Sequence, residues 1–250
     1  LLCFAFGLIL SVAIAVRERP GGRMLPWSAG EASQRSIDMK PESWKIIGID
    51  LARVMFLPAS LFIFGAAFIF RFAYGVWISL VPIVVVQDLG FESTQYSTFI
   101  SGVGFLAAMA GLVLGLVIDS KGIKFFYGLV LGLYGLLCIF IGLTETLWIS
   151  PTFLICIGIV QAFIYQGGFI SFIASCMKLC WQKVSATQFA IYMAGANIGL
   201  SMGACAYAAL EGSLAANQIF LLLGLIFFIG VGVVWLTDFN LHDKKIKTLA

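Results

Sequence analysis

The sequence predicts an all-α membrane protein, and three observations carry that prediction. Apolar residues make up 61% of the 250 and charged residues only 11%, about half the charge an ordinary soluble surface needs. The apolar residues gather into runs long enough to cross a bilayer, whose core of about 30 Å takes about 20 helical residues. The charges collect between those runs.

Seven apolar stretches read as helices: residues 1–16, 54–86, 96–118, 124–143, 151–176, 184–210 and 218–237. The first is too short to span at about 1.5 Å per residue. It begins without Met, already inside an apolar run, so it is expected to be the remainder of a helix whose upstream part is missing. A cleaved secretory signal, suggested by Ala13 and Ala15 before Arg17, is the lesser alternative. It lacks a basic leader, and it would send the Arg-rich segment outside.

Residues 17–53 form the one long polar stretch, opened by Pro20, Gly21, Gly22 and Pro26. This is a linker between two membrane bundles. Its last part, Ser43 to Arg53, sets Trp44, Ile47 and Leu51 on one helical face, as a helix lying in the membrane interface does.

Charge placement sets the topology. Of 15 Lys and Arg, all but Arg71 lie in alternate connections. These are the linker (Arg17, Arg19, Arg23, Arg35, Lys40, Lys45, Arg53), two turns (Lys121 and Lys124; Lys178 and Lys183) and the tail (Lys244, Lys245, Lys247). The intervening connections hold Asp88, Glu92, Glu145 and Glu211 and no base. Basic loops stay in the cytoplasm, so the C-terminus is expected inside. The net charge of +3 then reports topology, and no nucleic-acid partner is expected.

Six Cys fall in or beside the spans (Cys3, Cys138, Cys156, Cys176, Cys180, Cys205). They read as free structural thiols. Cys176 and Cys180 are one turn apart, but with no His or acid beside them no metal is expected.

Polar content divides the six spans after the linker. The third (124–143) and sixth (218–237) are apolar throughout their cores and read as lipid-facing; the second is polar only at its start. The first carries Arg71 and Tyr74, the fourth Gln161, Tyr165, Gln166, Ser171 and Ser175, and the fifth Thr187, Gln188, Tyr192, Asn197 and Ser201. Those three are expected to line an interior. A three-plus-three repeat of opposite topology is suggested by Ser93-Thr94-Gln95-Tyr96-Ser97 and Ala186-Thr187-Gln188-Phe189-Ala190.

Arg71 is the one charge within a span interior. Burying it costs roughly 2.5–3.5 kcal/mol on insertion scales, so it is expected to face a wet cavity and hold a carboxylate or phosphate of a small-molecule substrate. The alternative is an Arg satisfied by carbonyls or neighbouring helices. Tyr74 shares its face. Gln161 with Tyr165, Gln188 with Tyr192, and Asn197 are further substrate-binding candidates, and interhelical hydrogen bonding is their structural alternative. Gly195, Gly199 and Gly203, one turn apart, are expected to pack helices closely, as are Gly111 with Gly115 and Gly128 with Gly132.

The turn Gly115-Leu116-Val117-Ile118-Asp119-Ser120-Lys121-Gly122-Ile123-Lys124 resembles the core of the cytoplasmic loop motif of the major facilitator superfamily. Its gating residues are then Gly115, Asp119, Gly122 and Lys124. Asp119 is expected to meet a helix N-terminus and Lys121 or Lys124 in a contact that breaks as the bundle rocks. Closer similarity runs through Arg17-Glu18-Arg19-Pro20-Gly21, Leu25-Pro26-Trp27 and Ser185-Ala186-Thr187-Gln188-Phe189-Ala190. These strings resemble the muropeptide permease branch of that superfamily, which includes acetyl-coenzyme A transporters.

The resemblance implies that 1–16 is the last helix of an N-terminal bundle, 17–53 the central loop, 54–237 a C-terminal six-helix transport bundle and 238–250 a cytoplasmic tail. It implies a proton-driven permease of a bacterial inner membrane, importing anhydro-muropeptides; a monomer without a cofactor is expected. The missing N-terminal half and the lipid bilayer are its expected partners. No carboxylate lies within a span, so the coupling acid is expected in that half.

Two other classes are weaker. A seven-helix receptor fits the span count, but no span interior holds a Lys for a retinal Schiff base, and the first loop is long. An intramembrane enzyme lacks a base or metal ligand in its spans, since the single His, His242, lies in the tail.

Overall fold

The computed structural model describes residues 44–249, with side-chain surroundings to residue 248. The expectations for residues 1–16, for the linker up to residue 43 and for Cys3 lie outside the described residues. The chain divides into units 1–46 and 47–250, and the second unit holds the spanning helices.

Helix α1 (Trp44–Met55) stops at a break over Phe56 and Leu57. Pro58 causes the break. A residue before proline is pushed out of the helical region, and Leu57 sits extended at φ −65°, ψ 140°. The first span therefore starts at Pro58, not at residue 54 as the hydropathy suggests, because proline fits the first helical turn, where its missing N–H has no partner to lose. In α1, Ile47 and Leu51 pack around Val54, Trp181 and Val184. Asp50 is buried and accepts from the Arg53 guanidinium at 3.2 Å.

Helix α2 (Pro58–Pro82) runs into a π-helical segment, Ile83–Asp88. Pro82 lacks an N–H for the α-ladder, and beyond it the bonds lengthen, the Leu89 amide donating to the Val84 carbonyl at 3.0 Å. Gly90 ends the segment at φ +71°. Helix α3 (Ser93–Lys121) ends at Gly122, whose φ of +91° suits only glycine, and α4 (Ile123–Leu143) follows at once. A 3₁₀ turn (Glu145–Leu147) leads to α5 (Pro151–Leu179), then come α6 (Ser185–Leu210), α7 (Ala216–Leu236) and the tail helix α8 (Phe239–Leu249). No strand occurs among the described residues, and six helices, α2 to α7, are long and apolar enough to cross a membrane. The protein is an all-α, multi-pass membrane bundle.

Lipid tails are as apolar as leucine, so helix association in a bilayer depends on close packing rather than on water exclusion. Glycines supply that closeness. The α2–α6 seam sets Phe64, Phe68 and Phe72 against Gly195, Gly199 and Gly203, turn for turn. A Cβ on Gly199 would stand 2.8 Å from the Phe68 carbonyl oxygen, and one on Gly203 would strike the Phe72 carbonyl. Gly111 faces Gln166 and Ile170, Gly128 faces Trp235, and Gly132 has Val231 at 3.9 Å, whereas Gly115 faces open space.

The third span, α4, faces lipid on one side only, through exposed Leu129, Leu133 and Leu136, and is more buried than its composition suggests. In its most apolar stretch 61% of residues are buried, against 11% in α3. Gly135 and Gly142 let α7 approach it closely, and Tyr127, Leu131 and Tyr134 are wholly buried. A helix apolar all round satisfies a protein core as well as it satisfies lipid. Helix α7 has two faces: Leu223, Phe227 and Val234 are buried while Leu225, Ile229 and Trp235 are exposed.

Candidate functional site

Arg71 lies thirteen residues after Pro58 and eleven before Pro82, the ends of α2, hence near the middle of the span. It is 9% exposed. Its Nη1 donates to the Tyr165 hydroxyl of α5 at 2.7 Å, and its Nη2 donates to the Asn197 Oδ1 of α6 at 3.3 Å. The three polar spans thus meet at one guanidinium. Asn197 is itself exposed on the bundle surface, so the cluster reaches from the interior to an open face.

Aromatic rings frame the cation. Its Cζ is 5.8 Å from the ring centroids of both Tyr74 and Phe169, within cation–π range. Tyr74 and Tyr165 stack at 3.9 Å, and Phe70 and Phe169 flank Tyr165 at 5.8 and 6.0 Å. Helical geometry makes this ladder: Phe70 and Tyr74 are one turn apart, as are Tyr165 and Phe169, and i, i+4 neighbours share a face.

No acid neutralises Arg71 among the described residues, where the single ion pair is Asp50–Arg53. Guanidinium has five N–H donors, and the two bonds above leave three. In a low-dielectric interior such a cation attracts any anion that reaches it. The arrangement is suited to holding a carboxylate or phosphate, with the rings placing a polarisable wall beside it.

The other candidates separate. Gln161, one turn from Tyr165, donates to the Tyr134 hydroxyl at 2.6 Å. It also lines a largely apolar cavity of about 270 Å³, walled by Trp77, Val84, Phe99 and Trp148, at the end of the bundle bearing Glu145. Gln188 and Tyr192 form another cluster: Gln188 Oε1 accepts from the Trp181 amide at 2.8 Å, while its Nε2 donates to the Leu179 carbonyl at 3.0 Å and the Tyr192 hydroxyl at 3.1 Å. That amide ties the α5–α6 turn together.

The expected loop contact does not form. Asp119 is exposed and pairs with neither Lys121 nor Lys124. Lys124 instead donates to the Thr237 carbonyl at 2.6 Å, at the C-terminal end of α7, where unsatisfied carbonyls carry partial negative charge. Of the cysteines, Cys180 donates its thiol to the Cys176 carbonyl.

Sequence reasoning missed Phe70, Phe169 and Tyr134. The signal for the first two was their one-turn spacing from Tyr74 and Tyr165.

No protein-family model, curated protein or solved structure matches this chain. The major facilitator resemblance therefore rests on its loop and linker strings and on Ser185–Ala190 alone.

Proposed function

We propose that this bundle belongs to a transporter that moves an anionic solute by alternating access, with Arg71 as the anchor of the anion. The observation that carries the reading is the guanidinium near mid-span, with no acidic partner among the described residues and three polar helices converging on it. An ionisable residue inside a membrane faces the bundle interior or a wet cavity and marks functional sites such as solute and ion pathways. Tyr74, Tyr165 and Asn197 hold the guanidinium in orientation and flank the solute.

The resemblance of the loop, linker and Ser185–Ala190 strings supports a finer reading, a proton-coupled permease importing anhydro-muropeptides across a bacterial inner membrane, with a second bundle completing the cavity. Acetyl-coenzyme A is the alternative cargo within the same branch. Both are anions, so Arg71 serves either.

The test is uptake by the full-length protein in vesicles, with each labelled solute in turn. Charge-assisted hydrogen bonds contribute roughly 1.5–3 kcal/mol. Arg71→Ala should therefore weaken the half-saturating concentration by about 10- to 100-fold, and Arg71→Lys, which keeps the charge and loses the fork, should retain part. Wild-type uptake by the Ala variant, with normal protein levels, rejects the anchor.

A further inference from the structure

At the end of the bundle opposite the apolar cavity, three lysines from three different spanning helices edge one shallow hollow of about 360 Å³. Lys121 ends α3, Lys124 opens α4 and Lys178 ends α5. One acid, Asp238, shares the hollow, and its Oδ1 is engaged by the Leu241 amide at 3.0 Å. Three positive charges thus face one negative.

The surroundings say where the lysines point. Lys124 is held by the Thr237 carbonyl and lies 5.7 Å from the Trp235 ring. Lys178 lies 5.0 Å from the Phe239 ring, and Lys121 is exposed. Each ammonium carries three N–H donors, so the two whose contacts are only aromatic or solvent keep theirs for a ligand.

Below the hollow the wall turns apolar. Phe125 and Trp235 line it and are 50% and 56% exposed, with the Trp235 indole seated over Gly128. The outward faces of α4 and α7 continue with exposed Leu129, Leu133 and Ile229. Exposed Trp at the end of a spanning helix marks the level of the membrane interface. A ligand that is anionic at its head and apolar below matches both halves.

We propose that this hollow binds the phosphate headgroup of an anionic bilayer lipid, with the acyl chains lying along α4 and α7. Basic pockets between spanning helices attract such headgroups through Lys at the surface. Free phosphate would satisfy the lysines but leave the apolar wall unused, which is why a lipid is the occupant. The inference rests on the membrane fold alone. Lipid retention is read without any uptake, so its failure and that of the transport reading are separable.

The experiment is native mass spectrometry of the full-length protein, released from detergent with equimolar phosphatidylglycerol and phosphatidylcholine. The expected result is a roughly tenfold excess of retained phosphatidylglycerol, falling to near parity in Lys121→Gln/Lys178→Gln. Lys121→Arg/Lys178→Arg should keep the excess, and the Gln variant should keep the wild-type thermal midpoint in detergent, which separates lost charge from misfolding. Inorganic phosphate at millimolar concentration should not displace the lipid. Equal retention of the two lipids, an excess that survives in the Gln variant, or displacement by phosphate each overturns the proposal.

Discussion

His242 shows how one side chain fastens the tail helix to the bundle. It is 2% exposed, and its Nε2 lies 3.0 Å from the Leu179 carbonyl at the end of α5. A carbonyl only accepts, so Nε2 carries the proton in the neutral ring, and Nδ1 is buried without a partner among the described residues. Protonation would place a second N–H there, unsatisfied. Burial accordingly lowers the His242 pKa, against the smaller opposing effects of the Leu179 hydrogen bond and the Asp243 carboxylate. The folded pKa lies below the unfolded value of about 6.5, so the unfolded chain binds more protons between the two. The stabilising contribution is complete above the unfolded pKa and is lost as pH falls through the folded one. The thermal midpoint in detergent should drop as pH is lowered below about 6.5, and His242→Gln should flatten that drop. An unchanged pH profile in the Gln variant would remove His242 as its source.

Among the elements, the α2–α6 seam makes the sharpest prediction. Gly203→Ala would drive a methyl group into the Phe72 carbonyl and toward the Gly75 Cα at 3.1 Å. Backbone cannot swing aside as a side-chain tip can, so the helices must separate, at about 1–3 kcal/mol for such overpacking. Gly115→Ala has nothing within 4 Å and gains helix propensity, by up to about 1 kcal/mol. Thermal unfolding in detergent should therefore fall for Gly203→Ala and hold or rise for Gly115→Ala; equal midpoints would contradict the seam. The glycine spacing was legible in the sequence, but its partners Phe64, Phe68 and Phe72 were not, because spacing names a face and leaves open which helix meets it. The buried face of α4 was illegible for the same reason: an apolar face suits lipid and protein alike, and only the neighbours Gly135 and Gly142 admit decide between them. At the site, Arg71 with Tyr74, Tyr165 and Asn197 could be anticipated from residue type. The diversion of Gln188 to the α5–α6 turn depends on a chain reversal that no helical period encodes.

For the whole molecule, the fold turns a one-dimensional charge pattern into two ends of opposite sign. Because α2 to α7 alternate in direction, Arg53, Lys121, Lys124, Lys178 and Lys183 come to one end with the α8 lysines, and Asp88, Glu92, Glu145 and Glu211 to the other. Hydropathy found the six spans to within a few residues at each end, since spanning a bilayer constrains composition more than any soluble fold does. Hydropathy has no sign, however, and orientation rests on the lysines and arginines alone. Basic connections are retained on the cytoplasmic side during insertion, so the two ends should report opposite compartments. Alkaline phosphatase, active only after export, fused after Ser213 in the acidic turn should be active, and fused after Thr248 in α8 it should be inactive. Placing Lys residues in the Glu145 turn while replacing Lys178 and Lys183 by Gln should weaken that contrast, because it erodes the asymmetry that orients the bundle. Activity at Thr248 with silence at Ser213 would invert the topology and place the three-lysine hollow on the outer face.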